Sequence, residues 1–375
     1  MKKRERDSGM ELLRIFAMLL VICVHMFSYG GFYSAARAVG GHVHSTALLM
    51  KLATRAAVDI FILITGYFMS QQSFNLQKSL HRSFDVYKKM LFYSVVLTVI
   101  FLCLGSEFLI EKGKLIAPWR AILKGLFPVT SQTWYFLTDY LLLCLLIPFL
   151  NMGLQLLTKK EYRVLLAVLI ALMSVFATLL PMRPFSYVFE SFGYKNVLVG
   201  KNVFHFIFIY ILGGYISFFT APRKRPNFWF LGGAAGTVLL NYLLFTRLPD
   251  WFGYSSVALQ YSNPLVIANA VFLLLFFRDL HFHSRLVNLL ASTTLGVYAI
   301  SEFRYLRTFL WRWIHFDKAD CGNLFKNVLA VAAAAAAVFL ACAVIDLLRG
   351  QLFRLAGMLW KRYGNNPKIR AKKLK

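Results

Sequence analysis

Apolar residues run through this chain in long stretches, and polar residues gather in the short segments between them. A hydrocarbon core about 30 Å thick takes roughly 20 apolar residues in helical conformation to cross. Ten stretches qualify, near 11–30, 47–69, 90–110, 133–150, 163–181, 202–220, 228–246, 263–278, 287–303 and 326–348. A large soluble α/β enzyme would need polar faces between its apolar runs, and those are missing. The pattern predicts an all-α fold, a polytopic transmembrane helical bundle of about ten spans. Residues 1–350 are read as one transmembrane domain and 351–375 as a basic cytoplasmic tail, whose end RYGNNPKIRAKKLK reads as disordered.

Composition agrees. The chain is 59% hydrophobic and only 15% charged, against about 25% charged in a soluble domain. The net charge of +26 comes from 42 Lys+Arg against 16 Asp+Glu. These charges punctuate apolar runs instead of forming one patch, which argues against nucleic acid as a partner and for loops beside an anionic leaflet. With the N-terminus inside, the inner segments collect 25 of the 42 basic residues and the outer ones 16, with Arg14 inside a helix. The bias predicts both termini in the cytoplasm and an even number of spans. MKKRER followed by an apolar core mimics a signal peptide with an Ala-x-Ala at Ala36–Ala38. A first span that contains a histidine and leads into nine more is expected to stay uncleaved.

Five cysteines (Cys23, Cys103, Cys144, Cys321, Cys342) form no CxxC and read as small buried hydrophobes. The pairs His42/His44 and His281/His283 are too weakly spaced to indicate metal, so no metal site and no resident cofactor are expected. Six alanines at 332–337 suit close helix packing.

Against this background the ionisable residues of the first span stand out. In ELLRIFAMLLVICVH, Arg14 and His25 are eleven residues apart. Eleven steps of about 100° make roughly three turns, which puts both side chains on one face, about 16 Å apart along the axis. Glu11, one turn before Arg14, can hold the guanidinium. Glu11, Arg14, Met18, Val21/Ile22 and His25 thus form one stripe. A helix facing only lipid would not carry three ionisable groups on a single stripe. Asp59, within AAVDIFILITGYFMS, lies mid-span and needs a partner. It could orient an imidazole, contact Arg14, meet a ligand hydroxyl, or simply tie two helices together.

These segments resemble the membrane-bound acyltransferase 3 family. Arg14 and His25 with the preceding Glu11 resemble its first-helix signature, and VDIFILITGYFM its second-helix motif. QTWYFLTDYLLLCLLIPFLN, opening on Trp134 and Tyr135 and closing on Pro148, resembles the fourth helix. FIFIYILGGYI resembles a later helix and TLGVYAISEFRYLRTFLW the ninth, in the family's order from residue 8 to about 313. Two departures stand out. Ser301 occupies a position where the family often has histidine, with Glu302 beside it, and QKSLHRSFDVYKK is less arginine-rich than the family's version.

The resemblance implies acyl transfer, usually acetyl, from cytosolic acetyl-CoA as co-substrate to a hydroxyl of a surface polysaccharide or lipid-linked sugar, in a multi-pass protein of the bacterial inner membrane. A sugar hydroxyl needs a base as it attacks a thioester, and His25 can accept that proton. Alternatively His25 itself carries the acyl group; the direct route is preferred because no second nucleophile is evident. Arg14 suits CoA phosphates or the thioester carbonyl. Lys78, Arg82, Lys88 and Lys89 suit the acyl-CoA phosphates or, equally, a leaflet surface. Trp134 and Tyr135 suit either an interfacial aromatic belt or stacking on a sugar. Arg304 and Arg307, following Glu302 at the outer end of the ninth span, suit an anionic acceptor or, equally, an outer-loop pair of no catalytic importance; Glu302 and Arg304 join Trp134 and Tyr135 as candidate acceptor-binding residues. The runner-up reading, a transporter or flippase of a polysaccharide precursor, calls for inverted repeats and matching broken helices, and neither is visible.

Overall fold

The computed structural model describes residues 7–111, 113–182, 200–248, 250–314 and 324–364, and these are overwhelmingly helical. Cys321 and the end of the tail lie outside them. All ten apolar runs are helical. Among the described residues, six helices are long and apolar enough to cross a membrane. They are α1 (Ser8–Tyr29), α5 (Leu76–Leu104), α7 (Tyr135–Leu156), α8 (Lys159–Leu179), α10 (Trp229–Arg247) and α15 (Leu324–Gly364). Two shorter apolar helices join them, α9 (Val203–Phe219) and α11 (Pro264–Arg278).

The remaining two runs are broken. The second is divided into α3 (Gly41–Ala53) and α4 (Ala57–Met69) by a 3-10 turn at Thr54–Ala56. The ninth is split at Ser292–Thr293 into α12 (Arg285–Ala291) and α13 (Thr294–Ser301). Short helices α2 (Phe32–Val39), α6 (Pro118–Leu126) and α14 (Arg304–Trp313), one helical turn at Tyr254–Val257, two 3-10 turns at Ser106–Phe108 and Asp250–Phe252, and one two-strand hairpin connect them in the described chain.

Helix α1 is the axis of the bundle. Asp7 caps it by accepting from the Gly9 N–H, which satisfies one of the donors a helix start leaves free. Met18, Ile22 and Met26 on it are completely enclosed. Lipid tails are as apolar as these side chains, so close packing, not escape from water, supplies the attraction. Outward faces are apolar instead, as at Leu239, Leu240 and Leu243 of α10.

Glycines set the closest approaches. A methyl group on Gly66 of α4 would lie 2.2 Å from the Tyr210 carbonyl oxygen, and one on Gly213 of α9 would lie 2.5 Å from that of Leu63. The bare backbones of two motif segments therefore touch. Gly296 of α13 is pressed against Asp346 of α15 in the same way, its missing methyl 2.2 Å from the carboxyl carbon. Asp346 in turn holds Lys89 and Tyr93 of α5 and Arg349, tying three helices together.

Two sequence readings change. Helix α15 continues through residue 350 to Gly364, so the tail begins as helix; at about 1.5 Å per residue this helix outruns a bilayer. Cys103 is exposed on α5, whereas Cys144 and Cys342 are buried.

Candidate functional site

The stripe on α1 opens onto two cavities. At the Arg14 end lies one of about 220 Å³, walled by Arg14, Thr65, Tyr140, Leu295 and others. At the His25 end lies a much smaller one, about 10 Å³, walled by His25, Val21, Val58, Tyr135, Tyr261 and others. That is room for about one water. Phe61, Phe136 and Tyr298 line both cavities, so the two are separated by an aromatic wall. Phe136 is its centre, with ring centroids 5.8 Å from Phe61 and 5.3 Å from Tyr298.

At the first end Arg14 Nη1 donates to Glu11 Oε1 at 2.6 Å, the pairing expected from their spacing. The Glu11 carboxylate is buried while the guanidinium is partly open, which fixes the cation at the cavity edge. Arg82 of α5 is half-buried, and its charge and that of Arg14 both reach the Tyr140 hydroxyl. The other basic residues expected there go elsewhere. Lys78 is exposed, Lys88 pairs with Asp85 at 2.8 Å on the outside, and Lys89 is bound to Asp346 at 3.1 Å. Of the four, Arg82 is the one whose charge acts on the Tyr140 wall of this cavity.

At the second end His25 Nδ1 lies 2.8 Å from Glu302 Oε2. The two are close but off the line a hydrogen bond prefers, so the contact is chiefly electrostatic. With Nδ1 turned to the carboxylate, Nε2 is the nitrogen left for a substrate. Tyr29 stacks on the imidazole, with centroids 5.9 Å apart and planes 7° from parallel. Arg307 lies over Tyr29 and reaches Glu302 Oε2 at 3.8 Å. Glu302, expected to touch an acceptor, thus serves the imidazole. Ser301 beside it is fully buried.

Asp59 does not join this group or contact Arg14. Its Oδ1 meets Nε2 of His205 at 2.8 Å, with both side chains enclosed. His205 on α9 is the partner that sequence reading missed; a histidine three residues into an apolar helix was the available signal. The Gly66–Gly213 approach brings the two helices close enough to form the pair.

The expected acceptor residues divide. Trp134 is packed into the interior against Phe303, so no face of it is free for a sugar. Tyr135 faces the His25 cavity. Arg304 is bound by Glu111, Ser131 and Thr133 in a buried structural knot. Arg307, one turn on, points to the site instead. Among the described residues no three His, Cys, Asp or Glu side chains converge to hold a metal.

An imidazole and a guanidinium thus stand on one stripe of α1, each at its own cavity, inside an apolar bundle. Comparisons with curated proteins and with solved structures gave no match. A family model described as an acyltransferase domain, that of the acyltransferase 3 family, matches residues 7–347, nearly the whole chain and every element of the site. The protein belongs to that family and is a multi-pass membrane acyltransferase.

Proposed function

We propose that the protein O-acylates a glycan, moving an acyl group, in the first instance acetyl, from acyl-CoA to a hydroxyl of a surface polysaccharide or lipid-linked sugar. The observation that carries this reading is the pair of cavities on the α1 stripe, back to back across Phe61, Phe136 and Tyr298. Arg14 and Arg82 hold the phosphates of CoA at the wider cavity, where paired guanidiniums suit them. The extended pantetheine arm passes Phe136 and brings the thioester to His25.

There the acceptor hydroxyl gives its proton to His25 Nε2 as its oxygen bonds to the acyl carbon. The C–S bond breaks, and the proton passes to the departing CoA sulfur. Glu302 stabilises the imidazolium in between. The Lys/Arg distribution supports cytoplasmic termini, so that CoA enters from the cytosol and the acceptor from outside, and the family resemblance supports a bacterial inner membrane.

Purified full-length protein tests this directly. Acetyl-CoA turnover should fall at least a hundredfold in His25→Ala, a typical effect of removing a general base. The host's surface glycans should lose an acetyl group when the gene is deleted. Equal turnover in wild type and His25→Ala, or none in either, would overturn the proposal.

A further inference from the structure

The His25 end carries a concentration of positive charge that the chemistry above does not use. Three cations converge there from three separate elements. Arg55 sits in the 3-10 turn leading directly to Ala57 and Val58, which wall the cavity. Lys201 precedes α9, and its Nζ lies 5.7 Å from the ring of Tyr135 and 5.9 Å from that of Tyr261, both cavity walls. Arg307 lies 4.3 Å from the ring of Tyr29, which stacks on His25.

Among the described residues, carboxylates are scarce in this region. Glu302 is shared between His25 and Arg307. Arg55 and Lys201 form no ion pair with any described residue, and Asp139, a turn beyond Tyr135, pairs with none of the three. The Nε atoms of both Arg55 and Arg307 are buried without a partner. A buried, unpaired donor on a charged group is costly, and three cations facing one carboxylate repel one another. Lys201 registers that repulsion: partial burial and then the charges of Arg55 and Arg307 hold its ammonium below the usual lysine range. A neutral sugar would leave all of this uncompensated, whereas a carboxylate or phosphate would neutralise it, with the tyrosine faces taking the sugar ring.

We infer that the acceptor of this enzyme is an anionic saccharide, its carboxylate or phosphate held by Arg55, Lys201 and Arg307 so that a neighbouring hydroxyl meets His25. The inference rests on the acyl-transfer reading above and narrows it to a class of acceptor. Arg307 works twice, as anion ligand and as neighbour of Glu302.

The test uses the full chain in nanodiscs of neutral phosphatidylcholine. Equilibrium binding is measured for a glucuronate-terminated oligosaccharide, a sugar-phosphate-terminated one and the glucose-terminated neutral counterpart. Both anionic probes should bind at least tenfold more tightly than the neutral one, with affinity falling as salt rises. Arg55→Gln/Lys201→Gln should erase that preference. Lys201→Gln alone, just ahead of α9 and outside its packed core, should reduce it, and Lys201→Arg should restore it. Equal binding of all three probes, or a preference that survives the double substitution, would overturn the inference while acetyl-CoA turnover still supported acyl transfer. If nanodiscs rich in phosphatidylglycerol abolish the preference, the cluster is a lipid-headgroup site and the inference also falls. A protein showing no acetyl-CoA turnover sinks the underlying reading itself.

Discussion

Glu302 Oε2 stands 2.8 Å from Nδ1 of His25, at the carboxyl end of the short helix α13, which begins eight residues upstream at Thr294. A carboxylate behind an imidazole fixes the ring's orientation and stabilises its protonated form during transfer. Glu302→Gln keeps the shape and removes the charge. It should lower kcat for acyl transfer by about one to two orders of magnitude, with KM for acyl-CoA unchanged because Arg14 and Arg82 are remote from it. Steady-state kinetics on the purified variant decide the matter, and an unaltered kcat would remove Glu302 from the mechanism.

The sequence showed the helical bundle and the α1 stripe because both depend on local spacing. Periodicity alone puts Glu11 beside Arg14 and His25 on the same face, and the structure has both on cavity walls. It could not show which partner a residue on another helix finds. Asp59 had several candidates and meets His205, which is 146 positions away. Lys78, Arg82, Lys88 and Lys89 read as one basic cluster; helix periodicity turns Lys88 away, and the other three share a face but are spread over about 16 Å of axis, so each meets different neighbours. Arg304 and Arg307 looked alike in sequence. One is bound in a knot with Glu111, and the other reaches the site.

Close contact between α4 and α9 holds the buried Asp59–His205 pair in place. Gly66→Ala would drive a methyl group into the Tyr210 carbonyl, so the helices must separate or the backbone must shift. Overpacking of this kind typically costs about 1–3 kcal/mol. Thermal unfolding in detergent should show a clear loss for Gly66→Ala. Gly236→Ala on α10, where a methyl group meets nothing within 4 Å, should be neutral or slightly stabilising. Equal behaviour of the two variants would mean that glycine at 66 does not set the helix spacing.

Outside the membrane-spanning segments, His281 and Asp7 hold the start of α1, with His281 Nδ1 2.7 Å from Asp7 Oδ2. The hydrogen bond that its Nδ1–H donates to Asp7 raises the imidazole above its ordinary 6.5. For Asp7, partial burial pushes upward, but His281 and the backbone N–H groups of Gly9 and Phe282 together carry the carboxyl below its ordinary 3.8. The histidine's contribution is complete below about pH 6.5 and fades as pH rises through its raised value. The carboxylate's is complete above about pH 4 and fades as pH falls through its lowered value. The pair therefore stabilises the helix start most between these limits. Both groups are well exposed, so screening leaves only about 0.5 kcal/mol. Hydrogen exchange over the first turn of α1, corrected for intrinsic rates, should quicken slightly from pH 6 to 8.5. In His281→Ala the corrected rates should be higher and lack that rise; a rise that persisted there would assign the pH response to another group.

Phe136 decides whether the two cavities are one passage. Its ring lies 5.8, 5.3 and 5.5 Å from those of Phe61, Tyr298 and Phe206, and it borders both spaces. As it stands, the His25 cavity of about 10 Å³ admits neither a thioester nor a sugar, so transfer requires the aromatic wall to move. Keeping that wall closed between turnovers also keeps water from the thioester. Phe136→Ala should join the cavities and let water compete with the acceptor. CoA release without acceptor should then rise several-fold, and the fraction of released CoA matched by acylated product should fall. Phe136→Leu fills more of the space and should lie between wild type and alanine, which separates loss of the barrier from general loosening of the core. If folded Phe136→Ala protein couples CoA release to product as tightly as wild type, the wall is only packing, and the acyl group reaches His25 by another path.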